Sequence, residues 1–374
     1  MKINFRLVAE FFKVDLTLLI LLLTLSAMGL TMLYSASSQS ETTIIKQAIH
    51  FLIGFGAMFF IAQIPTSFFK RIAVFLLIFG TITLILVFVI GTSAGGATRW
   101  LNLGFFMYQP SEMMKIITPI AIASILSDKF LPPRFLPSLV SATIIFAVAT
   151  LILLQPDLGT AIIVASSGLF VLFFSGFSIK IFRNAYLNFA TIVATLMGVL
   201  IVGWQFVLQT YQKQRILTMF NPESDPLGSG YHIIQSKIAI GSGGMFGKGY
   251  GDGTQSQLDF LPEHSTDFIF ATISEELGFV GVLVFLFVYG LILYRCFTIA
   301  INSRRVFDRL LAASITMIFF TYIFINIAMV GGLLPVVGVP LPLISYGGSS
   351  VLTLMIGFGI IMSIHKNQGV SYLH

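Results

Sequence analysis

The chain has 374 residues, of which 56% are hydrophobic and only 10% are charged, and its mean hydropathy is +0.96. So little polar surface excludes a water-soluble globular protein and indicates an integral membrane protein. The formal net charge of +6 is scattered over several short connections, so it does not indicate nucleic-acid binding.

Apolar runs long enough to cross a membrane recur along the whole chain. A hydrocarbon layer about 30 Å thick needs roughly 20 apolar residues in a helix. The sequence therefore predicts an all-α bundle of ten transmembrane helices, with residues 1–374 forming a single membrane domain. The predicted spans cover residues 15–34, 44–65, 72–91, 112–127, 135–154, 157–175, 184–209, 267–295, 309–331 and 344–364.

The basic residues predict the orientation of these spans. Most of the 21 Lys and Arg residues fall on one side if both termini are cytoplasmic, as the positive-inside rule requires. The large segment between the seventh and eighth spans, residues 210–266, is then extracytoplasmic. We therefore expect the chemistry to face outward.

The first polar cluster lies at the start of the fourth span. Glu112 and Lys115 are three residues apart and can pair on one face of a helix, while Arg99 lies in the preceding outer connection. The pair either satisfies itself or lines a cavity. In a cavity, Lys115 and Arg99 would offer positive charge to an anionic ligand.

A second cluster is rich in glycine. Seven glycines fall within residues 241–253, next to Lys237 and Lys248. Exposed backbone N–H groups and lysine suit a phosphate or diphosphate. A flexible outer loop is the more frequent explanation of such a composition, and a P-loop is excluded because Gly249 follows Lys248 where Ser or Thr is required.

The entry of the eighth span carries the densest polar run, which consists of Glu263, His264, Ser265, Thr266 and Asp267. Capping of the helix by Ser265, Thr266 or Asp267 is the more frequent role of such residues. Alternatively, Asp267 lies at the edge of an apolar medium with His264 nearby, where its surroundings tune it as a general base. The two roles are compatible.

Two adjacent carboxylates, Glu275 and Glu276, lie about 12 Å deeper in the same span, at 1.5 Å per residue. They point about 100° apart, so at least one needs a cation or a water-filled cavity. A structural salt bridge is as good an explanation as a functional one.

The last outer connection contains Pro335, Pro340 and Pro342, which predict irregular backbone before the tenth span. Such a segment either lies beside a substrate cavity or forms an ordinary tight loop. The five histidines are dispersed and Cys296 is the single cysteine, so the sequence predicts no zinc-type site.

Several longer motifs resemble one known family. They are PDLGTA at 156–161, QSKIAIGSGG at 235–244, GTQSQLDFLPEHSTDFIFA at 253–271, EELGFVG at 275–281 and GLLPVVGVPLPLISYGGSS at 332–350. These stretches resemble the SEDS family (shape, elongation, division and sporulation), and the resemblance extends over all ten spans. The QSKIAIGSGG and GTQSQL motifs resemble the elongation class more than the division class.

The resemblance implies a peptidoglycan glycosyltransferase that polymerises lipid II on the outer face of the bacterial plasma membrane. It implies that the aspartate of the PEHSTDFIFA motif, Asp267, is essential, which favours the catalytic interpretation over the cap. The candidate substrate-binding residues are Arg99, Glu112, Lys115, Lys237, Lys248, Glu263, His264, Ser265 and Thr266.

The leaving diphosphate needs positive charge, which basic residues or a divalent cation, Mg²⁺ or Mn²⁺, would supply. The sequence assigns no metal ligands, and no organic cofactor is expected. The resemblance implies two kinds of partner: a class B penicillin-binding protein and an elongation complex of MreB, MreC, MreD and RodZ type. A flippase or transporter for lipid-linked precursors and a noncatalytic scaffold for a transpeptidase remain alternatives.

Overall fold

The computed structural model describes residues 14–94, 97–102, 104, 107–128, 131–176, 197–198, 201, 203–226, 228–257, 260–261 and 263–369. Within these ranges, nine long helices each coincide with one predicted span. They are α1 (Leu16–Ala36), α2 (Glu41–Gln63), α3 (Thr66–Ile90), α4 (Pro110–Ser127), α5 (Phe135–Leu154), α6 (Leu158–Phe174), α10 (Ile269–Ile301), α11 (Val306–Val330) and α12 (Gly348–Gly369).

Among the described residues, seven helices are long and apolar enough to cross a membrane. The other two long helices differ for simple reasons. Helix α4 carries Glu112, Lys115 and Pro119, which lower its hydropathy, and α6 has 17 residues. The predicted seventh span, 184–209, falls mainly outside the described residues, although a π-helical turn, Gly203–Val207, lies near its end.

Helix α11 lies at the centre of the bundle and contacts α4, α6, α10 and α12. It is buried on almost every face, as is α4. Helix α3 lies at the periphery and exposes large apolar side chains such as Phe75, Phe79 and Val89. Because exposed apolar residues suit lipid, this distribution is that of a membrane bundle.

Charged groups from three helices meet at one end of the bundle. Asp15 caps α1 by accepting a hydrogen bond from the Leu18 amide (2.7 Å). Arg295 near the end of α10 donates to Asp15 (Nε to Oδ1, 3.1 Å), and His365 near the end of α12 lies 3.4 Å from it. The predicted inner ends of the first, eighth and tenth spans are therefore neighbours, as the predicted antiparallel order requires.

The prediction of a purely helical chain is incomplete, because a small antiparallel sheet follows α3. Its strands are β1 (Thr92–Ala94), β2 (Ala97–Asn102) and β3 (Met107–Tyr108), in the order β1-β2-β3. Thr98 and Trp100 are residue types that favour strands. The sheet supports Arg99 at the end of the bundle opposite Asp15.

The segment predicted as one large loop, 210–266, contains three α-helices and one 3₁₀ turn, Pro222–Ser224, among its described residues. The α-helices are α7 (Thr210–Phe220), α8 (Ser229–Ser242) and α9 (Thr254–Gln257). Helix α8 packs against α10 and α11. The polar composition of this segment concealed its helices, because short amphipathic helices give a weaker signal than spans.

Candidate active site

Asp267 lies in a turn that precedes α10. The amides of Thr266 and Phe268 both donate to the Glu263 carbonyl, at 3.1 and 3.2 Å. The N-cap position is Phe268, and no side chain caps the helix there. The interpretation of Ser265, Thr266 or Asp267 as a helix cap is therefore wrong.

The backbone around Asp267 is held by the opposite side of the bundle. The Asn326 side-chain amide on α11 donates to the Asp267 carbonyl (2.8 Å) and to the Val339 carbonyl (2.7 Å). Ser345 donates its hydroxyl to the Thr266 carbonyl at 2.5 Å. These contacts fix the Asp267 backbone and join it to the irregular segment 331–347.

The Asp267 carboxylate itself accepts no hydrogen bond from any residue in the described ranges. Its Oδ2 atom lies 3.3 Å from the position that a Cβ would occupy on Gly338. The irregular backbone predicted from the prolines therefore lies directly beside Asp267. A carboxylate with fixed backbone and free oxygens is available to a reacting group.

Burial raises the pKa of Asp267, the negative charge of Glu263 also raises it, and the positive charge of Arg215 lowers it; together these effects give a pKa of about 6. A base with this pKa is largely ionised at neutral pH and remains a better proton acceptor than an ordinary aspartate.

The neighbouring polar residues have different roles from one another. Glu263 is exposed and accepts a hydrogen bond from the Thr266 hydroxyl (Oε2, 2.5 Å). His264 donates through Nδ1 to the Leu261 carbonyl at 2.8 Å, so it shapes the turn. The Ser265 carbonyl accepts the Tyr346 amide at 3.0 Å.

Sequence reasoning missed His232, which approaches the same turn from α8. Its ring lies 5.6 Å from the ring of Phe268. Burial lowers the pKa of His232 against the opposing effects of Glu263 and Asp225. The lowered pKa favours the neutral form of His232, which packs as an aromatic side chain.

Three side chains form an outer cluster above the start of α6. Arg99 donates to the carbonyls of Gln155 (3.4 Å) and Pro156, and the Tyr211 hydroxyl donates to the same Pro156 carbonyl at 2.8 Å. Arg215, one turn along α7, stacks on the Tyr211 ring at 5.6 Å. Tyr211 and Arg215 were not predicted as site residues, and their i,i+4 spacing was the available signal.

Glu112 and Lys115 form the predicted pair, with 2.5 Å between Lys115 Nζ and Glu112 Oε1. Both side chains are buried, and Lys115 also donates to the Tyr322 hydroxyl on α11. The second oxygen, Glu112 Oε2, has no partner among the residues described. The pair is thus satisfied only in part.

Helix α10 is interrupted at Gly278, where φ is 65° and ψ is −168°. The glycine-rich segment supplies the hydrogen bonds that the interruption removes. Its amides donate to the last carbonyls before the break and its carbonyls accept from the first amides after it: Lys248 to Glu275 (3.0 Å), Gly249 to Glu276 (3.1 Å), Phe279 to Gly244 (2.9 Å) and Val280 to Met245 (3.1 Å).

This packing explains two of the glycines, Gly243 and Gly247, which lie against the α10 backbone. A Cβ on Gly247 would lie 2.0 Å from the Glu276 carbonyl oxygen, so no other residue permits the approach. The segment is neither the flexible loop nor the open phosphate cradle considered from its composition, because its described backbone amides at 248 and 249 bind a helix.

The lysines beside this segment are arranged differently. Lys248 forms an ion pair with the buried Glu275, with 2.6 Å between Nζ and Oε1, and also donates to Thr254. This confirms that one of the paired carboxylates in the eighth span has a cation. Glu276 instead accepts from the Ser35 hydroxyl at 2.6 Å. Lys237 is exposed and lies against Gly332.

The described residues contain no group of three or more His, Cys, Asp or Glu side chains arranged to hold a metal. Asp267 and Glu263 nevertheless influence each other electrostatically. A carboxylate suits Mg²⁺ or Mn²⁺ when phosphate oxygens of a substrate supply further ligands, so the divalent cation expected from the sequence stays a prediction.

Fold and site together define a polytopic membrane protein with a carboxylate-centred polar site at one end of its bundle. The profile of the FtsW/RodA/SpoVE family, described as cell cycle protein, matches residues 15–369. The chain belongs to this family, which confirms the resemblance to SEDS proteins.

Relatives from two bacteria cover nearly the whole chain. Peptidoglycan glycosyltransferase MrdB of Escherichia coli K12 is 46% identical over 354 residues, which is 95% of this chain and 94% of that protein. Probable peptidoglycan glycosyltransferase FtsW of Geobacter sulfurreducens is 35% identical over 372 residues, 96% of each chain. The higher identity to MrdB, a RodA protein, agrees with the predicted elongation class.

Two solved structures share the fold. A chain of a peptidoglycan synthase complex that coordinates polymerization and crosslinking superposes with a TM-score of 0.81 at 28% identity, covering 96% of this chain and 99% of that one. Thermus thermophilus rod shape determining protein RodA gives a TM-score of 0.70 at 26% identity, covering 95% and 98%.

Proposed function

We propose that this protein is a peptidoglycan glycosyltransferase that polymerises lipid II during cell elongation. The 46% identity to MrdB over 95% of the chain supports the activity. One structural observation supports the role of the site: the carboxylate of Asp267 is free, beside irregular backbone, on a backbone that three hydrogen bonds hold.

In the proposed reaction Asp267 is the general base. It takes the proton from the 4-hydroxyl of the acceptor sugar as that oxygen attacks the anomeric carbon of the donor. The new carbon–oxygen bond forms as the bond to undecaprenyl diphosphate breaks, and the electron pair leaves with the diphosphate. The configuration inverts in one displacement, so no second carboxylate is required as a nucleophile.

The other candidate residues have roles that depend on their position relative to Asp267. Glu263, His264, Ser265 and Thr266 shape the rim of the site around Asp267. The half-buried Arg99 and the exposed Lys237 supply positive charge toward the diphosphate. Glu112 and Lys115 form its buried polar end. Lys248 acts through its ion pair with Glu275, which supports the outer part of α10.

A divalent cation fits this scheme. Phosphate oxygens of the donor would hold Mg²⁺ or Mn²⁺ together with the exposed carboxylate of Glu263, so that Asp267 stays free to accept a proton. When bound, the ion neutralises the charge that develops on the leaving diphosphate. The protein's own contribution is to keep Asp267 oriented and partly screened from water.

The proposal includes the topology and the partners. We infer ten spans, both termini in the cytoplasm, residues 210–266 on the periplasmic side and a location in the inner membrane. A class B penicillin-binding protein is the expected partner, because the matched synthase complex couples polymerization to crosslinking. Association with an elongation complex of MreB, MreC, MreD and RodZ type follows from the family resemblance.

The test is polymerisation of lipid II by the purified protein with its transpeptidase partner and a divalent cation. We expect glycan chains from the wild type and none from Asp267→Ala or Asp267→Asn, with thermal unfolding unchanged in the Asn variant. Polymer from both variants contradicts the base assignment. Lipid II translocation without polymer would instead indicate a flippase, and full transpeptidase stimulation by the inactive variants would indicate a scaffold.

A further inference from the structure

Two guanidinium groups lie near one short stretch of backbone at the outer end of the bundle, one bonded to it directly and the other linked to it through Tyr211. Arg99 from the sheet donates to the carbonyls of Gln155 and Pro156, and Tyr211 donates to that of Pro156. Arg215 lies against the face of Tyr211. The stretch at 155–156 and the Tyr211 ring thus hold two cations of different elements in one cluster.

Arg215 also reaches the segment beside Asp267. Its Nη1 atom donates to the Val336 carbonyl at 3.0 Å, and Val336 precedes by two residues the glycine that borders the Asp267 carboxylate. The charge of Arg215 acts on Asp267 electrostatically. The cluster therefore extends from the outer sheet to the reacting carboxylate.

The charges of these arginines are not neutralised within the described chain. Neither Arg99 nor Arg215 has a carboxylate within 4.0 Å among the described residues, whereas Lys115 and Lys248 are each paired with a glutamate. A guanidinium has five N–H donors. Backbone carbonyls occupy one donor of Arg215 and two of Arg99, which leaves donors available to an oxyanion.

We propose that Arg215 and Arg99, joined through Tyr211 and the Pro156 carbonyl, bind the diphosphate of the lipid-linked donor. This inference rests on the proposed function and assigns its leaving-group site. A planar guanidinium binds phosphate oxygens in a bidentate manner that an ammonium cannot reproduce. Two guanidinium groups separated by an aromatic ring fit a diphosphate, which has two linked phosphates, better than they fit a monophosphate.

The alternative role for Arg215 is purely structural, as a clamp on the Val336 carbonyl. A clamp and an anion site predict different ligand dependence. Removal of a clamp lowers the stability of the fold and the affinity for every ligand. Removal of an anion site lowers the affinity for a diphosphate selectively. Lysine should then restore part of that affinity, because it keeps the positive charge but not the two parallel N–H donors of a guanidinium.

The experiment measures binding of farnesyl diphosphate and farnesyl monophosphate to the purified full-length protein with its transpeptidase partner. The variants are Arg215→Gln, Arg215→Lys and, as a matched control, Lys213→Gln, which removes a charge about 200° away on the same helix. We expect Arg215→Gln to lose at least tenfold in affinity for the diphosphate and less than threefold for the monophosphate. Arg215→Lys should be intermediate and Lys213→Gln within twofold of wild type.

An equal loss for both ligands, no loss in Arg215→Gln, or an equal effect of Lys213→Gln overturns the assignment. Lipid II polymerisation by the wild type is measured in parallel. If the wild type forms polymer but Arg215→Gln shows no selective loss of diphosphate affinity, the proposed function stands and the diphosphate site is wrong. Absence of polymer under conditions in which the diphosphate binds as expected contradicts the proposed function and retains the site.

Discussion

Catalysis by Asp267 predicts a pH dependence with a defined position and sign. Burial and the neighbouring charges give this carboxyl a pKa of about 6, and the base must be ionised to accept a proton. The kcat/KM for lipid II polymerisation should therefore be constant above pH 7 and half-maximal near pH 6. At pH 5 it should fall to about one tenth of the plateau, because a single protonation costs tenfold for each pH unit.

The fall in kcat/KM at low pH is the acidic limb of the profile, and two neighbouring charges should move it in opposite directions. Glu263→Gln removes a negative charge that raises the pKa of Asp267, so the limb should move to lower pH. Arg215→Gln removes a positive charge that lowers it, so the limb should move to higher pH. Charge pairs with an exposed partner interact by roughly 0.2–1 kcal/mol, which corresponds to about 0.1–0.7 pKa units.

The measurement is the initial rate of glycan formation at subsaturating lipid II between pH 4.5 and 8.5, with stability checked at each pH. A profile that stays flat down to pH 4.5 in the wild type would refute the reasoning. So would shifts of both variants in the same direction, because that result cannot arise from opposite charges acting on one carboxylate.

Three further outcomes follow from the structure. Gly278→Ala places a side chain at positive φ with its Cβ 2.3 Å from a backbone nitrogen, so it should lower the free energy of unfolding by about 1–3 kcal/mol or more. As a control in the same helix, the Cβ of Gly290→Ala meets nothing within 4 Å, so thermal unfolding of this variant should be unchanged or slightly stabilised. Lys115→Ala leaves a buried carboxylate unpaired and should cost roughly 3–5 kcal/mol, and the double variant Glu112→Gln with Lys115→Met should recover most of that loss in the melting temperature. Chelation of divalent cations should abolish polymer formation, and added Mg²⁺ or Mn²⁺ should restore it; full activity in excess chelator would exclude the cation.

Much of the helical framework was predictable from the sequence, because uninterrupted apolar runs have few other stable conformations in lipid. The pairing of Glu112 with Lys115 followed from their spacing, and the partner of Glu275 followed from the cost of an isolated charge in a helix. The expectation that Asp267 is catalytic came from its motif, because the residue types at 263–267 alone favoured a helix cap.

Other features depend on contacts between distant parts of the chain. The free carboxylate of Asp267 requires Asn326 and Ser345, which are 59 and 79 residues away from their bonded partners. Arg215 joins the site only because α7 folds over the start of α6. The break at Gly278 was hidden, because EELGFVG reads as ordinary apolar helix until the segment that replaces its hydrogen bonds is placed beside it.

That break determines how the enzyme tolerates engineering. Residues 241–253 look on composition like a harmless place for an epitope tag or a protease site, yet the four backbone bonds across Gly278 require this stretch to keep its length and register. A single inserted residue would shift this register and remove the backbone hydrogen bonds that hold α10 to residues 244–249 on both sides of Gly278. Reporter insertions in this protein therefore belong elsewhere, such as the exposed turn at Glu223 and Ser224.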